Sequence, residues 1–291
     1  MWDRRFLFSD DAIQAKLKEF VPLVGNTHEL QTLRHETGKW FVNTVGAINP
    51  RVKDGATSQG FYVIGADGKG YVFNNNRSVE RVLGVLDEGL RQFRKNPPQK
   101  VDVADAVDPR PTPPAGTTVL RLYSRIRPVP LGADTSNENL QRDHVWILPD
   151  EAASLAELRM PEALGRRLCR FALVDAIRGE PDFWKPDEVK SSSFRLAKTR
   201  SGAKLTGTFA MATRDGKRGL EGAIDAEIEF DGARVRRFQG LAKATAWGAS
   251  TYTPNPPAGK FPIVFAFIVA PDAIDTVAPQ AAMFGGEYLK P

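Results

Sequence analysis

The chain has 291 residues, with 40 basic and 35 acidic side chains, a net charge of +5 and a hydrophobic fraction of 42%. That fraction excludes a chain disordered throughout, and the length favours two domains. The mild charge predicts no nucleic-acid partner, and no apolar run reaches the roughly 18 residues of a membrane span. The single cysteine excludes an intrachain disulfide and a Cys-x-x-Cys pair.

The first predicted element is a helix that begins after Ser9 and Asp10. Small polar residues ahead of an apolar-periodic run are typical of a helix N-terminus. Ile13, Leu17 and Phe20 recur at helical spacing and define its buried face.

A short buried strand is predicted next, at Phe20–Val24, because five mostly apolar residues are followed by Gly and Asn. A second helix is expected within His28–Val45, with Trp40, Phe41 and Val45 pointing inward. Residues 46–58 carry turn signals and are expected to form a loop.

The N-terminal third is organised around a predicted β-hairpin. Its strands are Phe61–Ile64 and Tyr71–Phe73, and Asp67-Gly68 lies between them. This dipeptide favours a tight turn because glycine adopts positive φ without steric cost. An amphipathic helix is then expected at Ser78–Lys95, so the local order is strand, turn, strand, helix.

A proline-rich stretch separates two regions of different texture. Residues 96–117 hold six prolines and few large apolar side chains, which is typical of an extended linker. We therefore predict three segments: a domain at 1–96, a linker at 97–117 and a second domain at 118–291.

The second domain is predicted to be α+β, with a curved antiparallel sheet and one main helix. Strands are expected at Val119–Ile126 and His144–Leu148, and the helix at Pro161–Ile177. Apolar and polar residues then alternate from 205 to 247, with turns at 214–219 and 231–232, and Phe261–Val269 closes the pattern. Such alternation indicates a sheet with one apolar and one wet face.

Residues 9–95 resemble a thioredoxin-like domain. The resemblance depends on Ser9-Asp10, Phe20-Val21-Pro22, the run Phe61–Lys69 and the closing helix at Ser78–Lys95. It implies an α/β fold for the first domain. The redox Cys-x-x-Cys of that family would fall near residues 1–5, and its cis-proline near Gln59-Gly60, but this chain has neither, so thiol–disulfide exchange at that position is chemically excluded.

The loop after Trp247 is the main candidate for a binding site. Trp247, Ser250 and Tyr252 lie on a Gly- and Pro-framed segment, and Trp146 and Trp184 are expected nearby in the fold. Exposed aromatic and hydroxyl groups on such a loop are typical of a ligand pocket. The alternative is that Trp247 caps the hydrophobic core and the prolines stiffen the loop.

Cys169 is the candidate reactive thiol. It lies among Arg166, Arg167 and Arg170, and nearby cations lower a thiol pKa. The alternative is that Cys169 is a small buried hydrophobe on the apolar side of its helix.

Two further sets of side chains are compatible with chemistry or with ordinary surface roles. Four carboxylates on one strand face suit acid–base work or a cation, or simply a solvated sheet surface. Three histidines would suit a metal, or are unrelated surface groups. These are Glu221, Asp225, Glu227 and Glu229, and His28, His35 and His144.

The leading hypothesis is a redox-inactive, thioredoxin-like protein that binds a small molecule or a protein and uses no cofactor or metal. The alternative is an enzyme of unknown class that uses Cys169 or a carboxylate–metal site in the second domain. The sequence as written has no signal peptide, which predicts the cytoplasm. A removed leader would imply a secreted or periplasmic protein.

Overall fold

The computed structural model describes residues 10–23, 25, 27–32, 36–54, 57–76, 78–99, 111–127, 140–251, 253–270, 278–284 and 286–290. The chain divides into two compact units, Met1–Asp108 and Pro109–Pro291. No helix in the described ranges is long and apolar enough to cross a membrane.

The first unit combines four helices with a hairpin in its described residues. The helices are α1 (Asp11–Leu17), α2 (Thr27–Thr32), α3 (Glu36–Val45) and α4 (Val79–Lys95), and a 3-10 turn spans Pro50–Asp54. The strands are β1 (Phe61–Ile64) and β2 (Gly70–Asn74), which pair antiparallel. Asp10 and Ser78 cap α1 and α4, because their side chains accept hydrogen bonds from first-turn amides.

The predicted hairpin is confirmed, and helices cover it. Gly68 has a φ of +80° in the turn, a conformation that favours glycine. Val63 and Tyr71 pack with Ile13, Val82 and Leu86 from α1 and α4 into one apolar cluster. The same strands therefore contact helices that lie before and after them in the sequence.

Two details of the predicted first domain are wrong. Residues 20–23 form no strand, and Val21 and Leu23 are 84% and 85% exposed. Pro22 lacks the N–H that a ladder needs, so the short apolar run gains little from pairing. Trp40 is 44% exposed instead of inward, while Val45 on the same helix is fully buried. Trp40 lies against the turn, where its Nε1 would be 3.2 Å from a Cβ added to Gly68.

The second unit is built on the predicted antiparallel sheet, which is confirmed. The seven strands lie in the order β4-β3-β9-β8-β7-β6-β5. Their bounds are β3 (Thr118–Ile126), β4 (Gln141–Ile147), β5 (Val189–Lys198), β6 (Gly202–Ala212), β7 (Gly219–Asp231), β8 (Arg234–Trp247) and β9 (Lys260–Val269). Neighbouring pairs are all antiparallel.

One face of this sheet forms the main core. Alternate residues of each strand point to the same face, and those on the inner face are apolar, including Leu205, Ile224, Ala242 and Phe265. The helices α5 (Pro149–Ala156) and α6 (Glu162–Arg167) contribute to the same core. The other face carries the polar half of the alternating pattern.

The helical part of the second unit differs from the prediction. The helix expected at Pro161–Ile177 is α-helical only to Arg167 and continues as a π-helix over Leu168–Ala172. The prediction had one main helix, but the structure has a second one, α5. Pro149 and a hydrogen bond from Leu148 N to Glu151 Oε2 fix the start of α5. Strand β5 was also missed, because its Lys-Ser-Ser-Ser run shows no period-two alternation.

Candidate functional site

The structure brings Trp184 and Trp247 together and gives both of them structural partners, whereas Trp146 is buried in a separate apolar cluster. Trp184 is 2% exposed, and its Nε1 donates a hydrogen bond to Leu173 O over 3.0 Å. Trp247 is partly buried, and its Nε1 donates to Gly216 O over 3.0 Å. Lys260 Nζ lies 4.4 Å from the centre of the Trp247 ring.

Two guanidinium groups fill most of the space near the two tryptophans. Arg218 stacks 4.0 Å from the Trp184 ring centre, and Arg178 lies 5.6 Å from that of Phe261. The remaining cavity has a volume of about 20 Å³, which is room for roughly one water molecule. We call this set of Arg178, Trp184, Arg218, Trp247 and Phe261 the aromatic cluster. The side chains of the aromatic cluster pack against one another and leave almost no open space.

Arg178 ties the predicted binding loop to the rest of the unit. Its Nε bonds Asp175 Oδ2 over 2.7 Å, and its two terminal nitrogens donate to the backbone carbonyls of Gly248, Thr253 and Pro254. Ser250 Oγ and Thr253 Oγ1 share a hydrogen bond over 2.6 Å. Tyr252 lies outside the described residues. The Trp247 loop is therefore held by an internal network in its described part.

Cys169 is enclosed in the π-helical segment. Its side chain is fully buried, and its thiol forms a hydrogen bond with Ser192. Burial raises the pKa of Cys169 to about 12, and the Ser192 contact offsets this only in part. The thiol consequently holds its proton at neutral pH, whereas thiol nucleophiles act as thiolates. The sequence suggested cationic activation, but the three arginines pair with Glu162, Glu151 and Glu287, and burial determines the direction of the shift.

Of the four carboxylates of β7, Glu221, Asp225 and Glu227 are exposed and Glu229 is partly buried. Ion pairs engage three of the four. Glu221 pairs with Lys260 at 2.7 Å and Asp225 with Lys204 at 2.9 Å. Glu229 pairs with two arginines of β8, which lower the pKa of its carboxyl.

A metal-binding cluster does not occur in the part of the chain that the structure describes, where no group of three or more His, Cys, Asp or Glu has suitable geometry. Of the three histidines, His28 belongs to α2 in the first unit and His144 to β4 in the second. His35 lies outside the described residues.

A larger surface feature lies on the wet face of the sheet. It is an open groove of about 1150 Å³ across β5 to β9, and we call it the sheet groove. Its lining residues are Ser193, Arg195, Thr206, Gly207, Thr208, Ala223, Ile224, Asp225, Glu227, Gln239, Gly240, Leu241, Lys243, Phe267 and Ile268.

The strand register explains which side chains meet in the sheet groove. One row across the strands runs Ser193, Thr208, Ala223, Lys243. The neighbouring row runs Arg195, Thr206, Asp225, Leu241 on the same strands. Small side chains in the first row leave space between the longer ones, and Leu241 adds an apolar spot that is 42% exposed.

The chemistry of the sheet groove suits polar recognition. Hydroxyls of Ser193, Thr206 and Thr208 donate and accept hydrogen bonds. Charges of both signs are present, and Lys204 partly neutralises Asp225. Sequence reasoning assigned this face to solvent and named none of its hydroxyl residues as a site. The signal that would have identified them is the polar half of the alternation in β6 to β8.

Comparison with known proteins adds no identity to this geometry. The chain matches no protein-family model, no curated protein and no solved structure.

Proposed function

We propose that the protein is a non-catalytic interaction module that binds a polypeptide partner on the wet face of its C-terminal sheet. The observation that carries the proposal is the sheet groove, a volume of about 1150 Å³ lined by hydroxyl, amide, charged and small side chains. Protein surfaces recognise polypeptides through such mixtures of hydrogen bonds, complementary charge and isolated apolar contacts.

The composition of the groove favours a polypeptide over other ligand classes. Its lining has one aromatic residue, Phe267, which is fully buried. Sugars and single-stranded nucleic acids are commonly held by exposed aromatic platforms. Leu241 and Ala223 offer apolar contact to side chains, while Gln239 and the threonines suit amide groups.

We further propose that the first unit is a thioredoxin-like scaffold that serves for docking without sulfur chemistry. Support comes from the hairpin β1–β2 with α4 after it, in the order expected for the end of that fold. A reduction assay with small thiols and an insulin substrate tests the redox-inactive part, and turnover above the buffer rate would contradict it.

The test of the main proposal is peptide selection on the full chain. A display library of random dodecapeptides is enriched on the protein, and the affinities of the winners are then measured against two variants. Ala223→Tyr fills the centre of the groove between Thr208 and Lys243. Ala233→Tyr adds the same bulk at an exposed hairpin turn and is the matched control.

We expect the selected peptides to bind wild type and Ala233→Tyr alike and to lose at least about tenfold in affinity on Ala223→Tyr, or about 1.4 kcal/mol. Equal binding to both variants, or a library that yields no binder, would overturn the proposal.

A further inference from the structure

The two edge strands of the C-terminal sheet, β4 and β5, differ in whether other described residues cover them. The β4 edge is covered by the C-terminal residues, where Trp146 N donates to Tyr288 Oη over 3.1 Å and Gln280 N donates to Asp143 Oδ1 over 2.9 Å. Arg167 also donates to Trp146 O over 3.2 Å. The outward N–H and C=O of Trp146 are therefore both satisfied within the unit, as expected for a protected part of a sheet edge.

The β5 edge has no such cover among the described residues. Thr199 N donates to Gly202 O over 2.9 Å, which closes the β5–β6 hairpin. Because hydrogen-bonded and non-bonded pairs alternate in antiparallel strands, this bond directs the backbone N–H and C=O of Ser192, Phe194, Leu196 and Lys198 away from β6. No backbone hydrogen bond from another described element reaches them.

Side chains along this edge leave the backbone accessible. Ser191, Ser192 and Ser193 are consecutive, small and exposed. Phe194 and Leu196 are partly buried against the core, so they anchor β5 without projecting outward. An extended segment is thus able to approach the outward N–H and C=O groups.

The charge of the edge indicates what kind of segment fits. Residues 189–204 contain five basic side chains and no acidic one. Lys204 pairs with Asp225 and Lys190 donates to Asp187 O, whereas Arg195, Lys198 and Arg200 have no ion pair with a described residue. Three cations thus accompany the open edge, and acidic side chains complement them.

The same charge disfavours a second copy of this chain at the edge. Antiparallel pairing of two β5 strands about Phe194 would set Lys190 of one copy opposite Lys198 of the other. Like charges directly opposite each other destabilise a strand pair, and basic edge residues are a known protection against such pairing.

We propose that β5 is a strand-addition site for an extended acidic segment of a partner protein. The segment would pair with the outward backbone groups of Ser192 to Lys198, and its carboxylates would meet Arg195 and Lys198. This deepens the proposed function, on which it rests, because Ser193 and Arg195 of β5 also line the sheet groove.

The experiment measures binding of a fluorescein-labelled peptide of alternating Glu and Val to the full chain by fluorescence anisotropy. Ser192→Pro removes one outward N–H without removing a β5–β6 ladder bond. Ser192→Ala is the matched control, because it loses the same hydroxyl, including its contact with Cys169, and keeps the N–H.

We expect Ser192→Pro to weaken binding about tenfold, the effect of one lost hydrogen bond, and Ser192→Ala to stay within about twofold. Arg195→Glu should weaken binding further, and a Lys-Val peptide should not bind at low salt. Equal affinity for Ser192→Pro and Ser192→Ala, or binding of the Lys-Val peptide, would overturn the proposal.

A measurement on wild type covers the case in which Ser192→Pro does not fold. Amide hydrogen exchange with saturating Glu-Val peptide should slow at Ser192, Phe194 and Leu196, and unchanged exchange there would also overturn the proposal. The Ala223→Tyr variant separates the two ideas. Glu-Val protection at β5 that survives this variant supports the edge independently of the groove. Library peptides that bind Ala223→Tyr as well as wild type contradict the groove and leave the edge proposal to the Ser192 variants.

Discussion

The aromatic cluster and the sheet groove belong to the same unit and make opposite use of their residues. The cluster joins two tryptophans to Arg178 and Arg218 and leaves about 20 Å³ free. The groove joins threonines, alanine and scattered charges and leaves about 1150 Å³ open. The tryptophans and arginines, which stand out in the sequence, pack against one another. Threonines, alanine and scattered charged residues, which do not stand out, line the accessible surface.

The physical reason lies in how each region satisfies its polar groups. In the cluster, each tryptophan N–H and the whole guanidinium of Arg178 bond within the protein. Buried polar groups need such partners because leaving them unpaired costs about 1–3 kcal/mol each. The hydroxyls of the groove face water and remain available to a partner.

The largest expected effect concerns Cys169, which belongs with the enclosed groups despite its basic neighbours. With its pKa raised to about 12, we expect native protein at pH 8 to react with iodoacetamide at least about a thousandfold more slowly than an ordinary thiol. The same chain in concentrated guanidinium is the control and should react at the ordinary rate. Rapid native alkylation would restore Cys169 as a candidate nucleophile.

Sequence patterns identified those parts of the fold that local rules determine. The hairpin at Asp67-Gly68 and the capped helix after Ser78 depend on turn and capping chemistry within a few residues. The period-two alternation of β6 to β8 likewise indicates a sheet with one buried face. These elements were predictable because the relevant interactions are close in sequence.

Other parts depend on long-range contacts that no local pattern reports. The run Phe20–Leu23 is apolar but has no strand to pair with, and β5 is a strand because β6 lies beside it. The sheet groove exists only when three strands align the side chains of Thr208, Ala223 and Lys243 in one row. Arg178 donates hydrogen bonds to carbonyls about seventy residues further along the chain. Local spacing rules could not predict these bonds, because such rules relate residues only a few positions apart.

The contrast between buried and open sites is next tested by Arg178→Ala. Arg178 and Asp175 are each 11% exposed, so the variant leaves a carboxylate and several carbonyls without their donor. We expect the free energy of unfolding to fall by about 3 kcal/mol, as for other broken buried pairs, measured by urea denaturation. Arg214→Ala breaks the exposed pair with Asp187 and should cost less than about 1 kcal/mol. Equal losses would mean that the cluster is not a structural network.

A pH experiment extends the contrast to the carboxyl group of Asp143. Burial raises its pKa from 3.8 to about 6, although the amides of Gln280 and His144 donate hydrogen bonds to it. Between those values the folded chain holds a proton that the unfolded chain has lost, so stability falls as pH rises through this window and stays lower above it. The charge of His144 acts on Asp143 directly, and Arg167, Glu151 and Asp143 all act on the neighbouring Tyr288.

Asp143→Asn keeps the Oδ1 acceptor and removes the titration. We expect its stability relative to wild type to rise by on the order of 2 kcal/mol between about pH 4 and pH 7, measured by thermal unfolding. Asp215→Asn is the control, because hydrogen bonds lower the pKa of Asp215 from 3.8, so its titration lies mostly below pH 4. Over the same pH range its relative stability should change little, and in the opposite direction. A pH-independent difference for Asp143→Asn would contradict the assignment.

The smallest expected effect on stability lies in the groove itself. Thr208→Val keeps the β-branched shape and removes one exposed hydroxyl, so the free energy of unfolding should change by less than about 0.5 kcal/mol. Phe209→Ala, one residue along the same strand, removes a ring that is 2% exposed and should cost about 3–5 kcal/mol. If the groove is a binding surface, Thr208→Val should weaken the selected peptides while leaving the unfolding curve unchanged. A large loss of stability for Thr208→Val would place Thr208 with the packed side chains and remove it from the surface that a partner meets.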